Sequence, residues 1–172
     1  PLTIGTNKTN VFIEDCIFGP NGYLTDSNSN AKMVVRFNEI RGMQKIDSHG
    51  VATNSPPRSS RSMEAYHNTW VNAGNWGGST AMEFRGGFHI VFNNTHVSTG
   101  GAFFTTEYGA FQSLGSFGNK YQTPTYYPVK DQIGVGSDPK IAGSEPSYIW
   151  NNRKTGGSTP WARGVKAIPS QA

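Results

Sequence analysis

Asp47 and Glu83 are the carboxylates of this sequence best placed to act together, because its internal copies, once aligned, put them in one outward column on successive turns of the chain. Two neighbouring carboxylates repel and separate their proton affinities, so that one can act as an acid while the other stays a base. His49 and Arg85 follow two residues on, and Arg58 and Arg61 enter from the loop between. Glycoside hydrolysis needs two carboxyl groups flanking the bond. Elimination from a uronate polymer needs a base near the α-proton and a cation on the carboxylate, a role open to Arg85, Arg61 or His49. The same residues can equally do no chemistry: outward charges solvate a sheet, and Asp47 with Arg85, or Glu83 with Arg61, can simply pair.

A second set of candidates is aromatic. Tyr126, Trp150 and Trp161 lie among prolines in the last third of the chain and are costly to leave in water. They can pin that segment against the rest of the molecule or offer flat faces to sugar rings. His49, His67, His89 and His96 lack zinc-site spacing, and no metal or other cofactor is expected. Cys16 is the single cysteine and is expected as an inert buried thiol rather than a nucleophile. Gly86-Gly87 and Gly100-Gly101 mark turns without a phosphate-binding pattern around them.

The elements that must position these residues come from a repeat. Val11–Phe18, Met33–Ile40, Met63–Trp70 and His89–His96 align without gaps, and their sixth position reads Cys16, Asn38, Asn68, Asn94. Gly118–Tyr121 is a weaker fifth copy. The copies lie about 22 to 30 residues apart, the span of one solenoid coil. A second short strand follows each: Tyr23–Asp26, Lys45–Ser48, Ala81–Phe84 and Ala102–Thr105. Stacked at about 4.8 Å, equivalent residues form columns. Asn suits the sixth position because it tolerates a left-handed backbone and its amide can bond the next copy.

Alternation places Val11, Ile13, Met33, Val35, Met63, Ala65 and Val91 inside, with Asp15, Phe37, His67 and Asn93 closing the inward series. Glu14 and Arg36 become an outward ion pair on adjacent copies. Phe12, Val34, Ile90, Tyr66 and Phe92 also point outward, an apolar strip that needs cover from the tail or a second chain.

The expected fold is therefore all-β: a right-handed parallel β-helix (solenoid) of about four to five coils over residues 1–121. An irregular Pro/Gly/aromatic tail, 122–172, packs on it or caps it. Gly at 21 residues and only 15% charged residues suit such a turn-rich chain. The net charge of +4 is spread over single Lys and Arg residues, so no nucleic-acid partner is expected, and no apolar run is long enough for membrane insertion. Asn7-Lys8-Thr9 and Asn93-Asn94-Thr95 fit the glycosylation sequon.

Ile46–Gly50, Arg61–Trp70, Ala81–Gly87, Val91–Thr95, Asp131–Gly134 and Tyr148–Asn152 resemble bacterial secreted right-handed β-helix repeat proteins, which are similar to the pectin-lyase-like superfamily. The resemblance runs from about position 2 to position 152. It implies a secreted, extracellular protein that engages polysaccharide, acidic polymers among them, as a binder or as a lyase or hydrolase. Catalytic roles would then fall to Asp47, Glu83, His49 and Arg85, and substrate contacts to Arg58, Arg61, Tyr126, Trp150 and Trp161. The competing expectation is a structural or assembly protein, a fibre or adhesin subunit, that self-stacks through the open strand edge of its first coil.

Overall fold

A computed structural model of the chain describes residues 10–27, 30–48, 60–71, 80–97, 102–108, 146–156 and 162–167. Every regular element among them is a strand: β1 (Val11–Glu14), β2 (Ile17–Phe18), β3 (Asn21–Ser27), β4 (Lys32–Arg36), β5 (Glu39–Arg41), β6 (Met43–Ser48), β7 (Ser62–Tyr66), β8 (Thr69–Val71), β9 (Thr80–Phe84), β10 (Phe88–Phe92), β11 (Thr95–Val97), β12 (Ala102–Tyr108), β13 (Tyr148–Trp150), β14 (Arg153–Thr155) and β15 (Ala162–Ala167). The strands sort into three five-stranded sheets: β1-β4-β7-β10-β13, β2-β5-β8-β11-β14 and β3-β6-β9-β12-β15. All pairings are parallel, so each repeat of three strands hands one strand to each sheet.

The register places chemically matched residues side by side. Met33, Met63 and His89 align in the first sheet, as do Val35, Ala65 and Val91. Ile40, Trp70 and His96 align in the second, and Ile46 with Met82 in the third. Val35, Ile40, Ile46, Met63, Ala65, Trp70, Met82, Phe84 and Val91 form one continuous core. At about 25 cal/mol per Å² of apolar surface removed from water, this column packing is the main force holding the repeats together.

Each repeat segment is bent rather than a single strand. The bend falls at two residues between the first and second sheets: Asp15-Cys16, Phe37-Asn38, His67-Asn68, Asn93-Asn94 and Asn151-Asn152. Asp15, Phe37, His67, Asn93 and Asn151 have φ between 49° and 57°. The left-handed residue is thus the one before the Asn column, not the Asn itself. Asp15, Phe37, His67 and Asn93 consequently do not close an inward series. The positive φ turns them out of the strand, and Asp15, Phe37 and His67 are exposed. Val11, expected inside, is also exposed.

The Asn column does what its amides allow. Asn38 Nδ2 donates to Asn68 Oδ1 (2.9 Å) and Asn68 Nδ2 to Asn94 Oδ1 (3.0 Å). Asn94 Nδ2 donates in turn to Asn152 Oδ1 (2.8 Å). Each Oδ1 also accepts the backbone N–H of the preceding member. Asn68 and Asn94 donate as well to the Val35 and Ala65 carbonyls, so the bend's buried backbone groups find partners. Cys16 ends the column and is exposed, against the expectation of a buried thiol.

A second bend requires Gly42, whose φ is 70° and whose missing side chain leaves room for the backbone of Pro20. Gly87, at φ 80°, likewise lies where a Cβ would come within 2.6 Å of the Ser60 carbonyl oxygen.

The expected irregular tail is corrected where it is described. Tyr148–Trp150, Arg153–Thr155 and Ala162–Ala167 add the fifth strand to each sheet, and Asn152 takes the next place in the Asn column. The physical reason is local: Tyr148–Asn152 carries the same strand-then-Asn pattern as the earlier copies, and the prolines precede or follow it. Gly118–Tyr121 lies outside the described residues.

Candidate functional site

The carboxylate pair forms in register and is then covered. Asp47 aligns with Glu83 in the third sheet, on the face opposite Ile46 and Ser48. Asp47 is nevertheless fully buried. Arg85 reaches back across it, with Nε 3.2 Å from Oδ1 and Nη2 on Oδ2. Lys45, two residues before Asp47 and so on the same face, lies 3.5 Å from Asp47 Oδ2 and bonds Glu83 Oε2.

Burial pushes the Asp47 carboxyl above its ordinary range, against the downward pull of the Arg85 charge and hydrogen bond and then of Lys45. Burial also pulls the Lys45 ammonium down, but its bond to Glu83 and the nearby carboxylates outweigh this and leave it raised. Lys45 further sits 4.6 Å from the centre of the exposed Tyr23 ring. The cluster is an ion network whose members pair with one another. A substrate would have to displace Arg85 to reach Asp47, at a cost of several kcal/mol for the buried charge left behind.

Of the remaining expected residues, the Arg61 guanidinium lies 5.5 Å from the centre of the Phe88 ring, and Glu83 takes Lys45 as its ion partner. His49, Arg58, Tyr126 and Trp161 lie outside the described residues. No group of three or more His, Cys, Asp or Glu among the described residues could hold a metal ion. Among the described residues no helix is long and apolar enough to cross a membrane.

A second polar chain escapes sequence reasoning. Ser48 Oγ is 2.7 Å from His89 Nε2, and His89 Nδ1 is 2.9 Å from Ser147 Oγ. Its form is that of a nucleophile beside a base, but Ser48 and His89 are both buried, so the chain links β6, β10 and the start of β13 inside the protein. Burial lowers His89 to about 3. Burial, then the charge of Lys154 beside it in the register, lowers His96 to about 4. Only the sharing of inward columns by these residues could have signalled the chain.

Trp150 is where the aromatic expectation meets the structure. Its ring stacks on Phe92 (4.6 Å between centres, 9° between planes), and Phe92 stacks on Tyr66 (4.7 Å, 9°). Tyr66 OH accepts from Arg36 Nη1 (2.8 Å), and Arg36 Nε donates to Glu14 Oε2 (2.5 Å), the ion pair expected from the sequence. The bond to Tyr66, then that to Glu14, hold the Arg36 guanidinium firmly charged. One outward column thus runs Glu14, Arg36, Tyr66, Phe92, Trp150. Of the strip expected to need cover, Val34 and Tyr66 are buried, Ile90 and Phe92 are half-buried and Phe12 stays exposed; ring stacking covers Tyr66 and Phe92. Face-to-face rings show the solvent only their edges, except the last. Trp150 is 47% exposed, on the terminal strand of its sheet, with Phe92 on one ring face.

Beside this column runs that of the bend: Asp15, Phe37, His67, Asn93, Asn151. Phe37 stacks on His67 (5.3 Å, 14°), Asn93 Nδ2 lies 3.4 Å from His67 Nε2, and Asn151 Nδ2 donates to Asn93 Oδ1. Together the two columns make a face of aromatic rings bordered by amides.

Compared with protein-family models, with curated proteins and with solved structures, the chain gives no match.

Proposed function

We propose that the chain is a right-handed parallel β-helix of the secreted, pectin-lyase-like kind, and that it binds polysaccharide on the outer face of its first sheet. The observation that carries this reading is the stack Tyr66–Phe92–Trp150, which ends in an indole with one face on Phe92 and stands beside the amides of Asn93 and Asn151. Sugars present flat C–H faces rimmed by hydroxyls. A rigid aromatic surface with a few placed polar groups is what such a ligand needs. The parallel three-sheet order, in which each strand pairs with its equivalent one repeat on, supports the β-helix.

The reading is of binding rather than cleavage, because Asp47, Glu83, Lys45 and Arg85 are engaged with one another. Assembly by end-on stacking draws less support. The inward column Ile40, Trp70, His96 ends in Lys154, and an inward charge is a device that discourages edge pairing.

The test is retention on an array of neutral and acidic glycans. Wild type is expected to bind at least one class, and Trp150→Ala to lose about tenfold in affinity, as for a truncated aromatic anchor. An array left empty by folded protein removes the reading. Release of reducing or unsaturated ends that persists in Asp47→Asn would place cleavage somewhere other than this cluster.

A further inference from the structure

Phe37 is out of type in its column. Asp, His and Asn fill the other left-handed positions, and these residues accept a positive φ readily. Phe37 adopts φ 57° with a bulky side chain, for which this region is a true outlier, and it is 48% exposed. The bend asks for a positive φ at this place in every repeat, but only here is it met by a bulky ring, which packs on His67 and leaves the rest of its surface open. Strain of this kind persists where a site makes use of it.

Resting on the glycan reading above, we infer that Phe37 is a second ligand-contacting aromatic and that the ligand is an extended, uncharged glycan lying along the stacking direction from Trp150 to Phe37. The two residues belong to the second and fifth repeats, three strand spacings or about 14 Å apart, too far for a single sugar ring to touch both. His67, Asn93 and Asn151 fill the interval with an imidazole and two amides, groups that hydrogen-bond hydroxyls.

Charge at the Phe37 end disfavours acidic polymers. Glu14, Asp15 and Arg36 stand at the Phe37 end, and Arg36 already serves Glu14 and Tyr66. The described charges there sum to an excess of one carboxylate, which repels a uronate chain and leaves a neutral one indifferent.

The experiment is calorimetric titration with a length series of neutral β-linked oligosaccharides and the matching uronates, on wild type, Phe37→Asn, Phe37→Trp and Trp150→Ala, with Tm measured for each. Affinity is expected to keep rising beyond the disaccharide and to favour the neutral series at every length. Phe37→Asn should weaken the longer ligands about tenfold while raising Tm, and Phe37→Trp should keep wild-type affinity. If no glycan binds wild type, the proposed function and this inference fall together. If Trp150→Ala weakens binding and Phe37→Asn does not, the function stands and this inference falls. A lower Tm in Phe37→Asn assigns the residue to the fold and also overturns it. Tighter binding of the uronates overturns the uncharged ligand.

Discussion

Two columns run side by side through the same bend, one residue apart in sequence, and they obey opposite rules. The Asn column repeats one side chain at Asn38, Asn68, Asn94 and Asn152, each bonded to the next and to buried backbone. The column before it reads Asp15, Phe37, His67, Asn93, Asn151 and shares only a positive φ. Where a side chain must satisfy a buried N–H and a buried carbonyl at fixed distance, one residue type serves. Where the backbone asks only that φ > 0 be tolerated and the side chain stands in solvent, type is free to vary, and the variation is available for a ligand. The inside of the bend holds the molecule together; its outside is where recognition is proposed.

The sharpest break of that comparison is Asn68→Ala. It leaves the Asn38 N–H and the Val35 carbonyl without their side-chain partners and removes both amide links of the column. At about 1–3 kcal/mol for each buried group left unsatisfied, the loss should be about 4 kcal/mol by urea unfolding. Asn93→Gly, one column over, removes the side chain but keeps a residue that tolerates φ 54°, and should cost under about 1 kcal/mol. Equal losses would erase the distinction.

Acid should act not on the Asn column, whose amides do not titrate there, but on the inward imidazoles. His89 is lowered to about 3 and His96 to about 4, both from 6.5. The folded state therefore binds fewer protons than the unfolded one between these values. The contribution is fully present above pH 6.5 and is lost as pH falls toward 3–4. At about 1.4 kcal/mol per tenfold change in proton affinity, His89 alone should cost on the order of 3 kcal/mol by pH 4. His89→Gln, which keeps polar atoms between Ser48 and Ser147, should flatten the stability–pH curve over this window. An unchanged slope would move the acid sensitivity elsewhere.

A smaller effect belongs to the ring stack. Phe92→Ala opens a gap between Tyr66 and Trp150 and forfeits two stacked pairs on a half-buried face. The expected loss is about 2 kcal/mol, with a red shift of tryptophan emission and weakened glycan binding. Stability loss with unchanged binding would confine the stack to the fold.

The strand register and the Asn column were legible because a column repeats its chemistry at each turn, so Cys16, Asn38, Asn68 and Asn94 could be aligned from type alone. The fifth repeat was hidden by distance: Asn152 follows Asn94 by 58 residues, about twice the earlier separations, with prolines in between. Alternation correctly set Asp47 beside Glu83 on an outer face, but outward is not the same as exposed, and a pattern of single residues cannot tell that Arg85 folds back over Asp47. It likewise misplaced Phe37 and His67, because period-two alternation presumes an unbroken strand and these residues stand at its break. Trp150 was found by its type; its partners Phe92 and Tyr66 were found only as an awkward apolar strip, because stacking depends on register and ring planes together.

The finest test lies where the two rules meet, at Cys16. Its Sγ donates to the Glu14 carbonyl (3.1 Å), two residues back. Asn94 and Asn152 make the same two-residue bond from Nδ2 to Phe92 and Trp150. The thiol therefore copies one bond of the column and lacks the link to the next member, although Cys16 N–H already donates to Asn38 Oδ1 (3.1 Å). Cys16→Asn should restore that link to Asn38 Oδ1 and stabilise the chain by about 1 kcal/mol, the net worth of one hydrogen bond. Cys16→Ser, which offers a shorter donor without reach to Asn38, should gain nothing. If both substitutions leave Tm unchanged, the column's residue type answers to buried backbone alone, and the amide-to-amide links add little to stability.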